Sequence, residues 1–230
     1  MNTAAKEPVL DARLAAAAAY VRPGGVAADI GCDHGKLAVW LALHRCRKVI
    51  AADIRPGPLA RARALCESAG AANVDCRQGD GLAVLGPEEA RDIVIAGVSG
   101  VTAAQMLAAA PGAFSVGTRF VFVPPTKHGV LRNYLARHGF TLVDETPVRA
   151  AGRLYTVLCA EYTGTAWQPT LYQCAVGRAV KPTAAAADYL DHVAHLAEKY
   201  ARGQADPQVY LALAQQVRKA AQQCRQPSAN

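Results

Sequence analysis

The stretch Ala27-Ala28-Asp29-Ile30-Gly31-Cys32-Asp33-His34-Gly35-Lys36-Leu37 decides the fold. It reads as a short apolar strand that runs into a glycine turn, and an acidic residue, Asp53, follows 22 residues after Gly31. This spacing is typical of a nucleoside-cofactor site. The glycine lets the backbone approach the ligand, and the carboxylate accepts hydrogen bonds from ribose hydroxyls. We therefore predict an α/β fold that binds a nucleoside cofactor at the end of this strand.

The residues of the glycine turn distinguish between cofactors. A dinucleotide site requires the pattern G-x-G-x-x-G, so that amides at a helix N-terminus can hold a pyrophosphate. Here Asp33 lies where the pyrophosphate would pass, and its carboxylate repels an anion but attracts a cation. The turn therefore predicts S-adenosylmethionine, which carries a sulfonium and an ammonium group, and it predicts a methyltransferase.

Length and composition describe a globular protein. The 230 residues suffice for one full domain and a small second unit, and 52% of them are hydrophobic. No apolar run approaches the ~20 residues needed to span a bilayer, and the first residues lack the apolar core of a signal peptide. We expect a cytoplasmic protein without a membrane partner.

The seven cysteines predict neither a metal site nor a disulfide framework, because none of them forms a C-x-x-C pair. His192 and His195 are spaced for one helix face but have no further ligands nearby in the sequence. We expect reduced, mostly apolar cysteines and no metal.

The excess of positive charge indicates a polyanionic partner. The formal net charge is +7, and the pI is about 9.2. Residues 36–63 contain seven Lys or Arg and one acidic residue, and residues 119–153 contain six Lys or Arg and two acidic residues. Both stretches flank the predicted cofactor loops, although surface arginines that only keep the chain soluble are the alternative explanation.

Strands and helices alternate along the first 162 residues. Apolar runs bounded by glycine and proline predict strands at 26–30, 48–53, 73–77, 92–96 and 119–123, with a β-hairpin at 141–148 and 154–162. Helical patterns cover 8–21, 36–43, 58–68, a segment from 102 and 127–138. This order predicts a Rossmann-like, seven-stranded, mostly parallel sheet in a domain of residues 1–162.

A second unit is predicted for residues 163–230. Residues 163–182 read as irregular, and helical periodicity at 183–200 and 207–223 predicts a helical hairpin. The last residues, 226–230, are expected to fray.

Five motifs together resemble one family. They are Leu10-Asp11-x-Arg13-Leu14, Asp29-Ile30-Gly31-x-Asp33-His34, Gly57-Pro58, Gly79-Asp80-Gly81-Leu82 and Gly152-Arg153-x-Tyr155. The combination resembles the TrmK family, the bacterial tRNA (adenine(22)-N(1))-methyltransferases. The resemblance implies a class I methyltransferase domain with a coiled-coil-like C-terminal extension. It also implies methylation of N1 of an adenosine, at position 22, with tRNA as the partner.

Site residues follow from the motifs and the strand ends. The predicted cofactor-binding residues are Asp29, Gly31, Cys32, Asp33, His34, Asp53, Ile54, Gly79, Asp80, Gly81 and Gly97. The predicted substrate loop is Gly97, Val98, Ser99 and Gly100, whose small residues let a flat base approach. The predicted RNA-binding residues are Arg55, Lys127, Arg132, Arg153 and Tyr155. For Asp29, His34 and Asp80 a purely structural role is the alternative, and for Arg153 and Tyr155 the alternative is a structural role in the hairpin.

Three other functions stay open on the sequence. A methyltransferase of another substrate is suggested by Gly97-Val98-Ser99-Gly100, where the TrmK family commonly has Gly-Met-Gly-Gly. A nicotinamide-dependent oxidoreductase is disfavoured by Asp33 and by the missing second and third glycines. A non-catalytic tRNA-binding relative would keep the same fold. The sequence leaves the oligomeric state open.

Overall fold

The fold is known from a computed structural model, which describes residues 7–178 and 180–225. The strands are β1 Val26–Ile30, β2 Lys48–Asp53, β3 Val74–Gln78, β4 Asp92–Ala96, β5 Arg119–Val123, β6 Phe140–Ala150 and β7 Arg153–Tyr162. The helices are α1 Ala12–Tyr20, α2 Lys36–His44, α3 Pro56–Ala69, α4 Gly100–Ala109, α5 His128–Arg137, α6 Leu171–Ala175, α7 Ala186–Ala201 and α8 Gln208–Arg225. The expected fraying of residues 226–230 lies outside the described residues.

One seven-stranded sheet organises the domain, in the order β3-β2-β1-β4-β5-β7-β6. Strands β1 to β5 are parallel, and β7 pairs antiparallel with both β5 and β6. The predicted sheet is confirmed. The order reverses between β1 and β4, and parallel sheets bind ligands at the carboxyl ends of the strands beside such a switch point.

The central strands are apolar along most of their length because helices cover both faces of the sheet. One core lies between the sheet and α1, α2 and α3, and a second lies between the sheet and α4 and α5. A third, smaller core joins α7 and α8. The predicted helical hairpin is thus confirmed as a packed helix pair.

Local signals set the helix boundaries. Helix α1 begins after Asp11, whose Oδ1 accepts the N–H groups of Arg13 and Leu14 at 3.1 and 3.0 Å. It is therefore shorter than the predicted 8–21. Helix α3 begins at Pro56, two residues earlier than predicted, because proline is well suited to a first helical position.

The segment 163–182 is not wholly irregular, so this prediction was wrong in part. Helix α6 begins after Thr170, whose hydroxyl accepts the N–H of Gln173, and the Gln173 side chain accepts the N–H of Thr170 in return. This reciprocal pair is a capping box, which is visible in the sequence as Thr-x-x-Gln.

A buried ion pair attaches the C-terminal helices to the sheet. The Arg132 guanidinium in α5 is 1% exposed and donates to Glu145 Oε2 in β6 from Nε at 2.9 Å and from Nη2 at 2.7 Å. Nη2 also donates to the Tyr189 hydroxyl of α7 at 2.6 Å, and Nη1 donates to the carbonyls of Cys174 and Ala175. Strand β6 and helices α6 and α7 therefore all contact one arginine of α5.

Candidate functional site

A cavity of about 860 Å³ opens at the carboxyl edge of the sheet, beside the β1–β4 switch point. Its size lies towards the upper end of the ~300–1,000 Å³ found for small-molecule sites. The loops that follow β1, β2, β3 and β4 form most of its wall, and the start of α1 closes one side. The parallel sheet thus brings together residues that are distant in the sequence.

The loop after β1 leaves open space beside Gly31. Gly31 has φ +75°, and a Cβ placed there would point into open space, with nothing within 4 Å. The N–H groups of Gly31 and Cys32 both donate to the carbonyl of Ala52 at 2.8 Å, which fixes the loop to the end of β2. The backbone is held in place while the room beside it stays free for a ligand.

Asp53 joins the loops after β1 and β2. Its Oδ2 accepts the N–H of Asp33 at 3.1 Å, and its Oδ1 accepts the N–H of Arg55 at 2.9 Å. The residue is 5% exposed and lines the cavity. Since each carboxylate oxygen has a second lone pair, Asp53 can orient both loops and still accept hydrogen bonds from a ligand.

The side chain of Arg55 lies over these carboxylates. Its Nε is 3.5 Å from Asp53 Oδ1, and its Nη2 is 3.8 Å from Asp33 Oδ1, although the guanidinium is largely exposed. His34 Nε2 lies 3.6 Å from Asp33 Oδ1. The predicted RNA-binding residue Arg55 therefore lines the cofactor cavity itself.

Asp29 is a buried carboxyl in the wall of the cavity, at 3% exposure. Burial raises its pKa to about 7; a backbone hydrogen bond from Ala38 opposes this effect, and the charge of Asp53 adds to it. Asp29 is thus partly protonated near neutral pH, and a cation placed in the cavity would favour its charged form. Cys32 is also buried in the wall, and burial raises the pKa of its thiol far above the usual range.

The loops after β2 and β3 supply apolar and acidic surface. Ile54 lines the cavity and is 58% exposed, and Gly79, Asp80 and Gly81 line it beside Ile54. An exposed isoleucine over an open cavity is suited to cover the flat face of a base. All the predicted cofactor-binding residues line the cavity. That they bind the cofactor stays a prediction.

The predicted substrate loop divides into two parts. Gly97 and Val98 line the cavity. Ser99 instead caps α4, its hydroxyl accepting the N–H of Thr102 at 3.1 Å. Gly100 packs so closely against the start of α5 that a Cβ would lie 2.2 Å from the carbonyl oxygen of Lys127. Ser99 and Gly100 therefore hold the loop against α4 and α5.

Four of the five predicted RNA-binding residues lie at the carboxyl edge. Lys127 is exposed at the start of α5, Arg153 is exposed at the start of β7, and Arg55 lines the cavity. Tyr155 is half-buried, with the guanidinium carbon of Arg13 at 5.6 Å from its ring centroid.

Arg132 does not belong with these residues, and its assignment to RNA binding is corrected. Its guanidinium is buried and fully engaged by Glu145, Tyr189 and two carbonyls, so no face of it is available to a phosphate. An exposed charge was expected because Arg132 lies beyond the end of a strand in the sequence. In the structure, the C-terminal helices cover this position.

The segment at the start of α1 contributes to the cavity, a role not predicted from the sequence. Val9, Asp11, Arg13 and Leu14 line the cavity. The motif Leu10-Asp11-x-Arg13-Leu14 is the signal in the sequence that marks this segment.

Two negative findings concern residues 7–178 and 180–225 alone. No group of three or more His, Cys, Asp or Glu side chains in that part of the chain is placed to hold a metal ion. None of its helices has the length and hydropathy of a membrane-spanning segment.

Known proteins share this architecture. Residues 10–158 match the family described as "Methyltransferase domain". A tRNA (adenine(22)-N(1))-methyltransferase of Bacillus subtilis (strain 168) is 36% identical over 155 residues, which are 66% of this chain and 65% of that protein. The alignment thus spans slightly less than two thirds of the relative's length.

Two solved structures extend the similarity to nearly the whole chain. The crystal structure of the B. subtilis tRNA methyltransferase TrmK superposes with a TM-score of 0.76 at 26% identity, covering 96% of this chain and 100% of that one. A putative tRNA methyltransferase of Streptococcus pneumoniae, solved with S-adenosyl-L-methionine, gives a TM-score of 0.80 at 24% identity and covers 93% and 100%. At this identity the second similarity concerns the fold alone.

Proposed function

Because the chain belongs to the methyltransferase-domain family, we propose that it is a member of the TrmK branch and transfers a methyl group from S-adenosylmethionine to N1 of adenosine 22 in tRNA. The activity of the B. subtilis relative supports tRNA as the substrate, in preference to the substrate of another class of methyltransferase. The proposed substrate also makes the cytoplasm the proposed location.

One observation carries the choice of cofactor: three carboxylates surround the open space beside Gly31. Asp29, Asp33 and Asp53 all line the cavity there. S-adenosylmethionine has a net positive charge, so this arrangement attracts it, whereas the two phosphates of a dinucleotide would be repelled. Of the three, Asp33 argues against the nicotinamide-dependent oxidoreductase, because its carboxylate would repel a pyrophosphate at the glycine turn.

The residues present fit the cofactor. Gly31 leaves open space where any other residue would place a Cβ. We propose that Asp53 accepts hydrogen bonds from the ribose hydroxyls and that Ile54 covers the adenine ring. Asp80 would accept a hydrogen bond from the adenine amino group. Asp29 and Asp33 would balance the positive charge of the sulfonium and ammonium groups.

The proposed reaction demands alignment more than proton transfer. S-adenosylmethionine supplies an electrophilic methyl group, and N1 of adenine attacks it with an in-plane lone pair. No proton has to leave first, so the chain needs no general base at this position. Gly97 and Val98 line the cavity, and their small size suits the approach of a flat base; we propose that backbone carbonyls of this loop accept hydrogen bonds from its amino group. Holding the reactants in line can contribute up to ~7–11 kcal/mol.

We propose that tRNA binds across the carboxyl edge and the C-terminal helices. Lys127 and Arg153 are exposed at that edge. Residues 1–162 would form the catalytic domain, and residues 163–230 would form a helical extension that carries seven Lys or Arg and four acids. Both units would contribute charge to a phosphate-binding surface.

The test is nucleoside mass spectrometry of unmodified tRNA after incubation with the protein and S-adenosylmethionine. We expect 1-methyladenosine at position 22, and none in a matched transcript that carries guanosine there. Methylation of another nucleoside would point to a different methyltransferase. Binding of tRNA without any methylation would instead favour the non-catalytic relative.

A further inference from the structure

Arg13 lies at the α1 side of the cavity and is held in one orientation. Its Nε donates to Asp11 Oδ2 at 3.0 Å, and its guanidinium carbon is 5.6 Å from the centroid of the Tyr155 ring. The side chain is 28% exposed and lines the cavity. One edge of the guanidinium is thus fixed by a carboxylate, and one face is fixed by an aromatic ring.

The rest of the guanidinium is available. Within the described ranges, neither Nη1 nor Nη2 of Arg13 forms a hydrogen bond. Four N–H donors in a planar fork therefore have no protein acceptor there. A fork of this kind recognises carboxylate or phosphate oxygens, often through two parallel hydrogen bonds.

The other basic side chains of the cavity are placed differently. Arg55 lies within 4 Å of Asp33 and Asp53, and His34 lies 3.6 Å from Asp33. Lys36 also lines the cavity, but it is exposed and ends in a point charge on a long stem, so its position is less defined. Arg13 differs from them because a carboxylate and an aromatic ring orient its guanidinium, while Nη1 and Nη2 form no hydrogen bond within the described ranges.

We propose that Arg13 is an oxyanion-binding residue of this site, with Asp11 and Tyr155 as its positioning residues. The inference rests on the proposed function, because two anionic groups would then reach the cavity. One is the α-carboxylate of the methionine part of S-adenosylmethionine. The other is a phosphate of the tRNA beside the target adenosine. Both present the same oxygen chemistry, and binding experiments separate them.

The first experiment measures cofactor binding by calorimetry for the wild type and for Arg13→Ala. The probes are S-adenosylmethionine, S-adenosylhomocysteine and methylthioadenosine, which keeps the adenosine and the thioether but lacks the carboxylate. If Arg13 binds the carboxylate, the first two bind about ten- to hundredfold more weakly, while methylthioadenosine binds as before. Equal weakening of all three would mean a distorted cavity and would overturn the inference.

The second experiment measures tRNA binding at several salt concentrations with the same variants. If Arg13 binds a phosphate, Arg13→Ala leaves the affinity for S-adenosylmethionine unchanged, and the slope of log affinity against log salt falls by about one unit. Arg91→Ala is the matched control, because Arg91 is exposed just before β4, at the opposite edge of the sheet. If Arg13→Ala changes neither ligand's affinity, the inference is wrong.

Conservative variants test the positioning residues. Tyr155→Phe keeps the ring under the guanidinium and should bind like the wild type, whereas Tyr155→Ala should reproduce part of the Arg13→Ala defect. Asp11→Asn keeps a capping side chain for α1 but removes the charge that holds Nε. Failure of the wild type to bind S-adenosylmethionine would instead count against the proposed function.

Discussion

Asp53 is the residue on which the cofactor loops converge, since it accepts the N–H groups of Asp33 and Arg55. We predict that Asp53→Ala weakens binding of S-adenosylmethionine by about 1–3 kcal/mol, because ribose hydroxyls lose a charged acceptor. Isothermal calorimetry measures this change.

A matched variant separates the two roles of Asp53. Asp53→Asn retains one acceptor oxygen and therefore one of the two loop hydrogen bonds, so we expect it to disturb the loops less than Asp53→Ala while losing most of the cofactor affinity. An unchanged dissociation constant in both variants would remove Asp53 from the site.

Because Asp29 is a buried carboxyl, we expect the free energy of unfolding to depend on pH. Its pKa is raised to about 7 in the folded state from an ordinary value near 3.8, so between these values the folded protein holds the extra proton. The free energy of unfolding of the ligand-free protein should therefore fall as pH rises from about 4 to about 7, by this group's contribution. Asp29→Asn should lose that dependence, as denaturation at several pH values measures.

The same carboxyl should couple cofactor binding to a proton. A cation in the cavity favours ionised Asp29, so the affinity for S-adenosylmethionine should rise with pH up to about 7. Calorimetry in buffers of different ionisation enthalpy would detect the released proton. Identical pH profiles for the wild type and Asp29→Asn would contradict this role.

At the scale of elements, Arg132 joins α5, β6 and α7. Replacing it with leucine leaves the buried Glu145 carboxylate without a charged partner and, among the described residues, with only the Arg178 N–H donating to it, and we predict a loss of about 3–5 kcal/mol in the free energy of unfolding. Chemical denaturation checks this value, and the double variant Arg132→Leu/Glu145→Leu should recover part of the loss. At a temperature where Arg132→Leu is folded, its tRNA salt slope should equal that of the wild type.

These elements also show what the sequence can and cannot predict. The strands, the glycine turn and Asp53 follow from local apolar runs and one spacing, so the sheet and its carboxyl edge were predictable. The burial of Arg132 was not, because Glu145 and Tyr189 lie 13 and 57 residues away in the chain. The contact of Arg13 with Tyr155 was not predictable either, because the two residues are far apart in the chain.

At the scale of the whole molecule, the basic edge predicts salt-sensitive binding of tRNA. Lys127→Ala and Arg153→Ala should each reduce the slope of log affinity against log salt by about one unit per lost phosphate contact. Cofactor affinity should stay unchanged, and Arg91→Ala should behave like the wild type. If the tRNA affinity of the wild type does not change with salt concentration, the assignment of tRNA as the substrate is wrong.

The C-terminal helices should add to this surface. Lys199, Arg202 and Lys219 are exposed, with no ion pair among the described residues. Replacing all three with alanine should weaken tRNA binding and methylation while leaving cofactor affinity intact. Deleting residues 165–230 would be a poorer test, because it would also remove Tyr189 and the two carbonyls that hold Arg132.

The docking of the C-terminal segment has a consequence for the protein during synthesis. Strand β6 is an edge strand, and the chain returns to cover it: Val180 forms a parallel bridge with Glu145, and the Lys181 N–H donates to the Glu145 carbonyl at 2.7 Å. Until residues 180 and 181 leave the ribosome, that edge is open to pairing with a neighbouring nascent chain. Chains that terminate between β7 and Val180 should therefore aggregate more readily than the full-length protein, even though their sheet is complete.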